Sequence, residues 1–156
     1  MAKVVGLGGL FFRSPDPEKL LAWYAQWLGV GDGKSSIEFS PADMPANGFA
    51  VFSPFPADTD YFAPSARQFM FNLVVDDLDG ALGQVHLGGC QVVGEIEEHE
   101  YGRFGWFIDP DGNKVELWQP PLPGRVGRPW WRSGFASRAP RRLPACWSRA
   151  GSSRRE

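Results

Sequence analysis

The sequence predicts an α+β fold in which the pattern strand, helix, three strands occurs twice in tandem, about residues 4–62 and 66–120, ahead of a basic tail. Three observations predict it. Short apolar runs alternate with only two stretches of helical period. Both helices open on an acidic capping residue and close on glycine. The second half repeats the order of the first at an offset of roughly sixty residues, a period that marks a duplicated module rather than a solenoid.

The first module begins with an apolar, glycine-containing run, Val4 to Phe12, read as a buried strand that ends at the turn residues Arg13-Ser14-Pro15-Asp16. Asp16 caps the following helix and Pro17 suits its first turn. Leu20, Leu21, Tyr24, Trp27 and Leu28 recur at helical spacing, and Gly29 stops it. Two hairpin strands are expected over Ser36 to Phe39 and Phe49 to Phe55, punctuated by Pro41, Pro45, Asn47-Gly48 and Pro54.

The second module opens with a strand over Gln68 to Val75. Its helix carries the stripe Leu78, Ala81, Leu82 and Val85, weakened by Gly80 and Gly83 and stopped at Gly88-Gly89. Three strands follow, Gln91 to Glu98, Gly102 to Ile108 and Lys114 to Trp118, the last two joined by the turn Asp109-Pro110-Asp111-Gly112-Asn113.

Composition limits the function classes. A hydrophobic share of 43% and a charged share of 22% over all 156 residues sit in the range of globular proteins rather than disordered chains. Up to Pro120, seventeen acids face seven Lys and Arg, a net charge of −10, whereas the segment after it holds nine Arg against Glu156 alone, +8. The acidic body disfavours nucleic acid and anionic membrane as partners of the folded domain, and favours neutral or cationic small molecules. No apolar run approaches the roughly 20 residues that span a bilayer. Cys90 and Cys146 have no CxxC spacing, so a reducing cytoplasm is the expected setting. Residues 121–156, rich in Arg, Pro, Ser and Gly, are read as a disordered tail. Another reading frame of GC-rich DNA would give the same composition.

Several polar features have bland readings. Asp58 and Asp60 resemble a calcium-loop fragment but lack its Gly and distal Glu, so they read as a turn. His86 lies off the apolar stripe of its helix, and neither Cys90 nor any Ser has an evident catalytic partner. Gly6-Leu7-Gly8-Gly9 lies inside a strand and is no phosphate loop.

The runs Leu10-Phe11-Phe12-Arg13-Ser14-Pro15-Asp16, Val74-Val75-Asp76-Asp77-Leu78-Asp79 and Gly105 to Leu117, with its Asp-Pro-Asp-Gly-Asn turn and Glu116, together resemble the vicinal oxygen chelate superfamily. That superfamily includes glyoxalase I, extradiol dioxygenases, and fosfomycin- and bleomycin-resistance proteins. The resemblance spans about residues 4–120 and implies paired modules that curl into a cleft, commonly completed by a homodimer.

It also implies a metal site, and there the chain departs from the pattern. Where relatives carry a metal-binding His on the first strand of each module, this chain has Gly9 and Met70. The strand Phe49-Ala50-Val51-Phe52, which should offer a carboxylate, is apolar, so Glu116 alone matches a ligand position. One carboxylate does not hold a catalytic ion tightly.

Strand alternation puts Glu116 on one face with Lys114 and Trp118, Phe11 on a face with Gly9, and Asn72 with Met70. Phe11, Met70, Asn72, Lys114 and Trp118 are therefore the expected ligand-binding residues. The polar segment Glu97 to Arg103 adds His99, Tyr101 and Arg103 as candidates, against the reading of a solvated strand edge. The expected function is a glyoxalase- or bleomycin-resistance-like protein that binds a small organic molecule in an aromatic, acidic cleft without a conventional metal cofactor. The alternative is a divergent metal-dependent lyase or dioxygenase in which Glu116 is the catalytic carboxylate, with a divalent metal bound.

Overall fold

A computed structural model describes residues 2–4, 6–35, 37–45 and 48–122. The expected tail lies outside them beyond Leu122, as does Asn47 of the Asn47-Gly48 turn. The fold is α+β, with two helices on one face of a four-stranded sheet.

Helix α1, Pro17–Leu28, follows its sequence signals. The Asp16 side chain accepts from the Lys19 amide, Pro17 occupies the first turn, and Gly29 ends the helix in the left-handed region at φ 65°. Strand β1, Phe71–Val74, leads into helix α2, Leu78–Leu87, which Asp77 caps through the Gly80 amide. Strands β2, Gln91–His99, β3, Gly102–Ile108, and β4, Lys114–Gln119, complete a βαβββ module. The sheet order is β1-β4-β3-β2, with β1 parallel to β4 and the other pairs antiparallel.

Alternation divides the sheet chemically. Phe71, Phe107, Val115 and Leu117 face the helices and pack with Leu20, Tyr24, Leu78, Ala81, Leu82 and Val85 in one buried core. The opposite face carries Phe104, Trp106 and Trp118, with Met70, Val74, Val93 and Tyr101 against them. Period-two alternation thus buries one set of apolar side chains under the helices and gathers an aromatic cluster on the opposite face.

The Asp109 turn locks α1 to the sheet. Asp109, 3% exposed, accepts from the Asp111 and Asn113 amides, the Asn113 side chain and the Tyr24 hydroxyl. Burial, reinforced by Asp109, raises the Tyr24 phenol pKa well above its usual value, so it stays a donor. Trp23 adds a second tie between the helices, its indole donating to the Gly88 carbonyl.

The first half departs from expectation outside α1. Among the described residues, 4–12, 37–39 and 49–55 carry no strand. Several apolar side chains there stay in solvent: Val4 is 92%, Phe11 94% and Phe52 88% exposed. Glycines and prolines dilute these runs, so a ladder gains little side-chain packing to offset its ordering entropy.

Candidate functional site

Glu116 sits in the middle of the aromatic face. On the central strand β4, it is paired across the ladders with Asn72 of β1 on one side and Trp106 of β3 on the other. Register alone therefore aims both neighbours at it. Asn72 Nδ2 donates to Oε1 at 2.6 Å and Trp106 Nε1 to Oε2 at 2.8 Å. The third donor comes from the loop ahead of β1, where the Tyr61 hydroxyl reaches Oε2 at 2.8 Å.

Lys114, one row away, is 8% exposed. Its Nζ donates to the Tyr61 carbonyl at 2.6 Å and lies 5.0 Å from the centre of the Tyr61 ring and 5.8 Å from that of Trp106. Burial lowers the Lys114 pKa from its ordinary value, and Glu116 is the first of the carboxylates opposing that shift. The expected sharing of one face by Glu116, Lys114 and Trp118 matches this geometry.

The other expected residues divide. Trp118 donates to the Tyr101 carbonyl at 3.0 Å and packs on Phe49 and Phe104. His99 lies parallel to Tyr101 at 5.1 Å, meets Phe104 edge-on, and hydrogen-bonds Glu97. Both therefore extend the aromatic wall. Met70 packs against the same cluster, and Asn72 is exposed at its rim.

Arg103 is engaged elsewhere, in a bidentate pair with Asp79 and a bond to Glu98 that tie α2 to the sheet. Phe11 stands in solvent, and a side chain built at Gly9 would meet only the Phe11 ring. Neither is brought to Glu116. Sequence reasoning missed Tyr61 and Trp106. Trp106 had a signal in the hairpin register, whereas Tyr61 had none, being 55 positions from Glu116 in an irregular loop. A separate cavity of about 490 Å³, lined by Pro64, Ser65, Arg67, Gln91, Ile108 and Asp111, opens beside the Asp109 turn and does not include Glu116.

Both Glu116 carboxylate oxygens accept hydrogen bonds from neutral groups, an amide, an indole and a phenol, and the indole nitrogen has no lone pair to offer a metal. Among the described residues, no three His, Cys, Asp or Glu side chains gather into a metal-binding group.

A βαβββ module with two helices on one face of a four-stranded sheet is consistent with a glyoxalase-like fold. The sequence profile of the glyoxalase-like domain matches residues 9–118, so the chain belongs to that family and to the vicinal oxygen chelate superfamily. No curated protein matches it. Similar solved structures include a glyoxalase/bleomycin resistance protein/dioxygenase superfamily member from Sphaerobacter thermophilus, at 30% identity and TM-score 0.29. That match covers 31% of this chain and 40% of the other. The antibiotic-binding protein TnmS3 from Streptomyces sp. CB03234 is 24% identical over 69% of this chain and 89% of its own, with TM-score 0.42. A glyoxalase-related enzyme from Fulvimarina pelagi is 16% identical over 79% and 91%, with TM-score 0.39. No helix among the described residues is long and apolar enough to cross a membrane.

Proposed function

We propose that this glyoxalase-like protein binds a small organic molecule on the aromatic face around Glu116 and does so without a metal. The observation that carries the reading is the closure of Glu116 by three neutral donors, Tyr61, Asn72 and Trp106. A carboxylate held this way is an orienting acceptor between aromatic walls, the usual composition of an organic-ligand site. His99, Tyr101, Trp118, Met70 and Lys114 would contribute the walls and one cation.

Two further parts belong to the same reading. The exposed apolar side chains of the first half support a cleft completed in a homodimer, where residues 4–62 would form the first of the two tandem modules. The protein would work in the cytoplasm.

Metal content and thermal shift test the central claim. The purified protein is expected to hold no stoichiometric Ni, Zn, Mn or Fe and to gain no melting temperature from those ions, whereas aromatic ligands should raise it. Tight stoichiometric metal, lost in Glu116→Ala, would sink the proposal.

A further inference from the structure

The Glu116 and Lys114 groups are both engaged by a single loop residue. Tyr61 gives its hydroxyl to Glu116, offers its carbonyl to Lys114, lays its ring beneath the Lys114 ammonium and sets that ring edge-on to Trp106, 6.5 Å away and at 87°. Those are the contacts a bound aromatic molecule would make on this face: a donor for the acid, an acceptor for the cation, and a ring for the wall.

The loop holds its own shape around Tyr61. Thr59 accepts from the Tyr61 amide, the Ala63 amide donates to Asp60 and the Ser65 amide to Phe62. Phe55 stacks on the Tyr61 ring at 5.4 Å. These bonds are local to the loop, and with Ser65 anchored to the Gly112 carbonyl at 2.6 Å the segment ahead of it is what would carry Tyr61 off the sheet. The sheet-borne partners cannot follow, because Asn72, Trp106, Lys114 and Glu116 sit in strand ladders.

A residue serving only to cover an apolar face would not need a buried ammonium and a half-buried carboxylate beneath it, which cost energy unless paired. We propose that Tyr61 occupies the ligand's seat in the free protein, and that the ligand displacing it is a phenol joined to a carbonyl acceptor, as in a tyrosyl amide. This rests on the reading that the aromatic face binds a small molecule, and it adds what that molecule must carry. The loop then competes with the ligand, so apparent affinity is reduced by the fraction of time Tyr61 is seated.

The test titrates N-acetyl-L-tyrosinamide, with N-acetyl-L-phenylalaninamide as the hydroxyl-free control, into the full chain and its Tyr61→Ala variant, followed by calorimetry. Tyr61→Ala is expected to bind the tyrosyl probe at least about tenfold more tightly than the parent, and to prefer it to the control by about tenfold. Adding Glu116→Ala, which leaves the phenol no acceptor, should erase the preference. Equal binding of both probes, or no gain on removing Tyr61, overturns the inference.

Should Tyr61→Ala fail to fold, Tyr61→Phe decides, because it releases only the hydroxyl on Glu116. A gain of about threefold is then expected, and none overturns the inference. If 8-anilinonaphthalene-1-sulfonate binds parent and variant alike while the tyrosyl probe gains nothing, the seat assignment falls and the binding function stands. If neither protein binds any aromatic probe, both fall.

Discussion

Replacing Glu116 measures how much the hub at the centre of the aromatic face contributes. In Glu116→Ala three donors lose their acceptor, but they are unequally buried. Trp106 is 5% exposed, so its orphaned indole N–H costs about 1–3 kcal/mol. Tyr61 is half-buried and adds about 1 kcal/mol, while Asn72 is exposed, turns to water and adds little. The sum is about 3 kcal/mol. Glu116→Gln keeps one oxygen for Trp106 and Tyr61 and turns its amide toward Asn72, which can flip to accept it, so the cost falls to about 1 kcal/mol. Urea unfolding followed by tryptophan fluorescence gives both values, and a cycle with Tyr61→Phe isolates the 2.8 Å bond, with a coupling of about 1–2 kcal/mol expected. Equal costs for Ala and Gln, or a coupling below about 0.3 kcal/mol, would refute the hub.

Four other outcomes follow from the same structure. Cys90 has its thiol pKa pushed up to about 11 from 9.0 by burial and by Asp109, so at pH 8 its thiolate is roughly a hundredfold scarcer than in an open chain. In a Cys146→Ser background, iodoacetamide should label it about a hundredfold more slowly than the unfolded chain, and equal rates would contradict the burial. Lys114, its pKa depressed by burial, binds fewer protons folded than unfolded, so its contribution to stability rises with pH from the depressed value toward the ordinary 10.5. The difference in stability between parent and Lys114→Met should change with that sign, a comparison that cancels the opposing titration of Tyr24. Gly102→Ala should cost at least about 2 kcal/mol, because φ is 131° and the new Cβ would strike the Gln119 carbonyl and the Trp118 indole. Gly83→Ala, in the interior of α2 with nothing near the added Cβ, should instead gain about 0.5–1 kcal/mol in the same urea assay.

The legible parts of the fold were those whose signals are local. Asp16, Pro17 and Gly29 bracket α1 to the residue, the stripe of Leu78, Ala81, Leu82 and Val85 is the buried face of α2, and the Asp109 turn separates β3 from β4. The expected strands of the first half rested on apolar runs alone, and an apolar run becomes a strand only when an edge is available to pair with it. Within the site, alternation along β4 placed Glu116, Lys114 and Trp118 together. It did not extend across the hairpin, although the turn between Ile108 and Lys114 already sets Trp106 beside Glu116. Arg103 went astray for the opposite reason: its neighbours in sequence joined the aromatic face, and its own alternation sent it to Asp79.

The division between register-held and loop-held partners decides where Glu116 can exchange a contact. Asn72 and Trp106 are its ladder neighbours on β1 and β3, so withdrawing either donor by more than a rotamer change means parting strands that share the buried core. Tyr61 is bound by no ladder, and its withdrawal disturbs a loop already closed by its own turns. Trp106 and Tyr61 share Oε2, so a departing phenol leaves that oxygen oriented by the indole and able to take a second donor. The carboxylate is thereby preorganised from two sides by the ladders and held on the third by a loop, which is the asymmetry that the proposed displacement of Tyr61 requires.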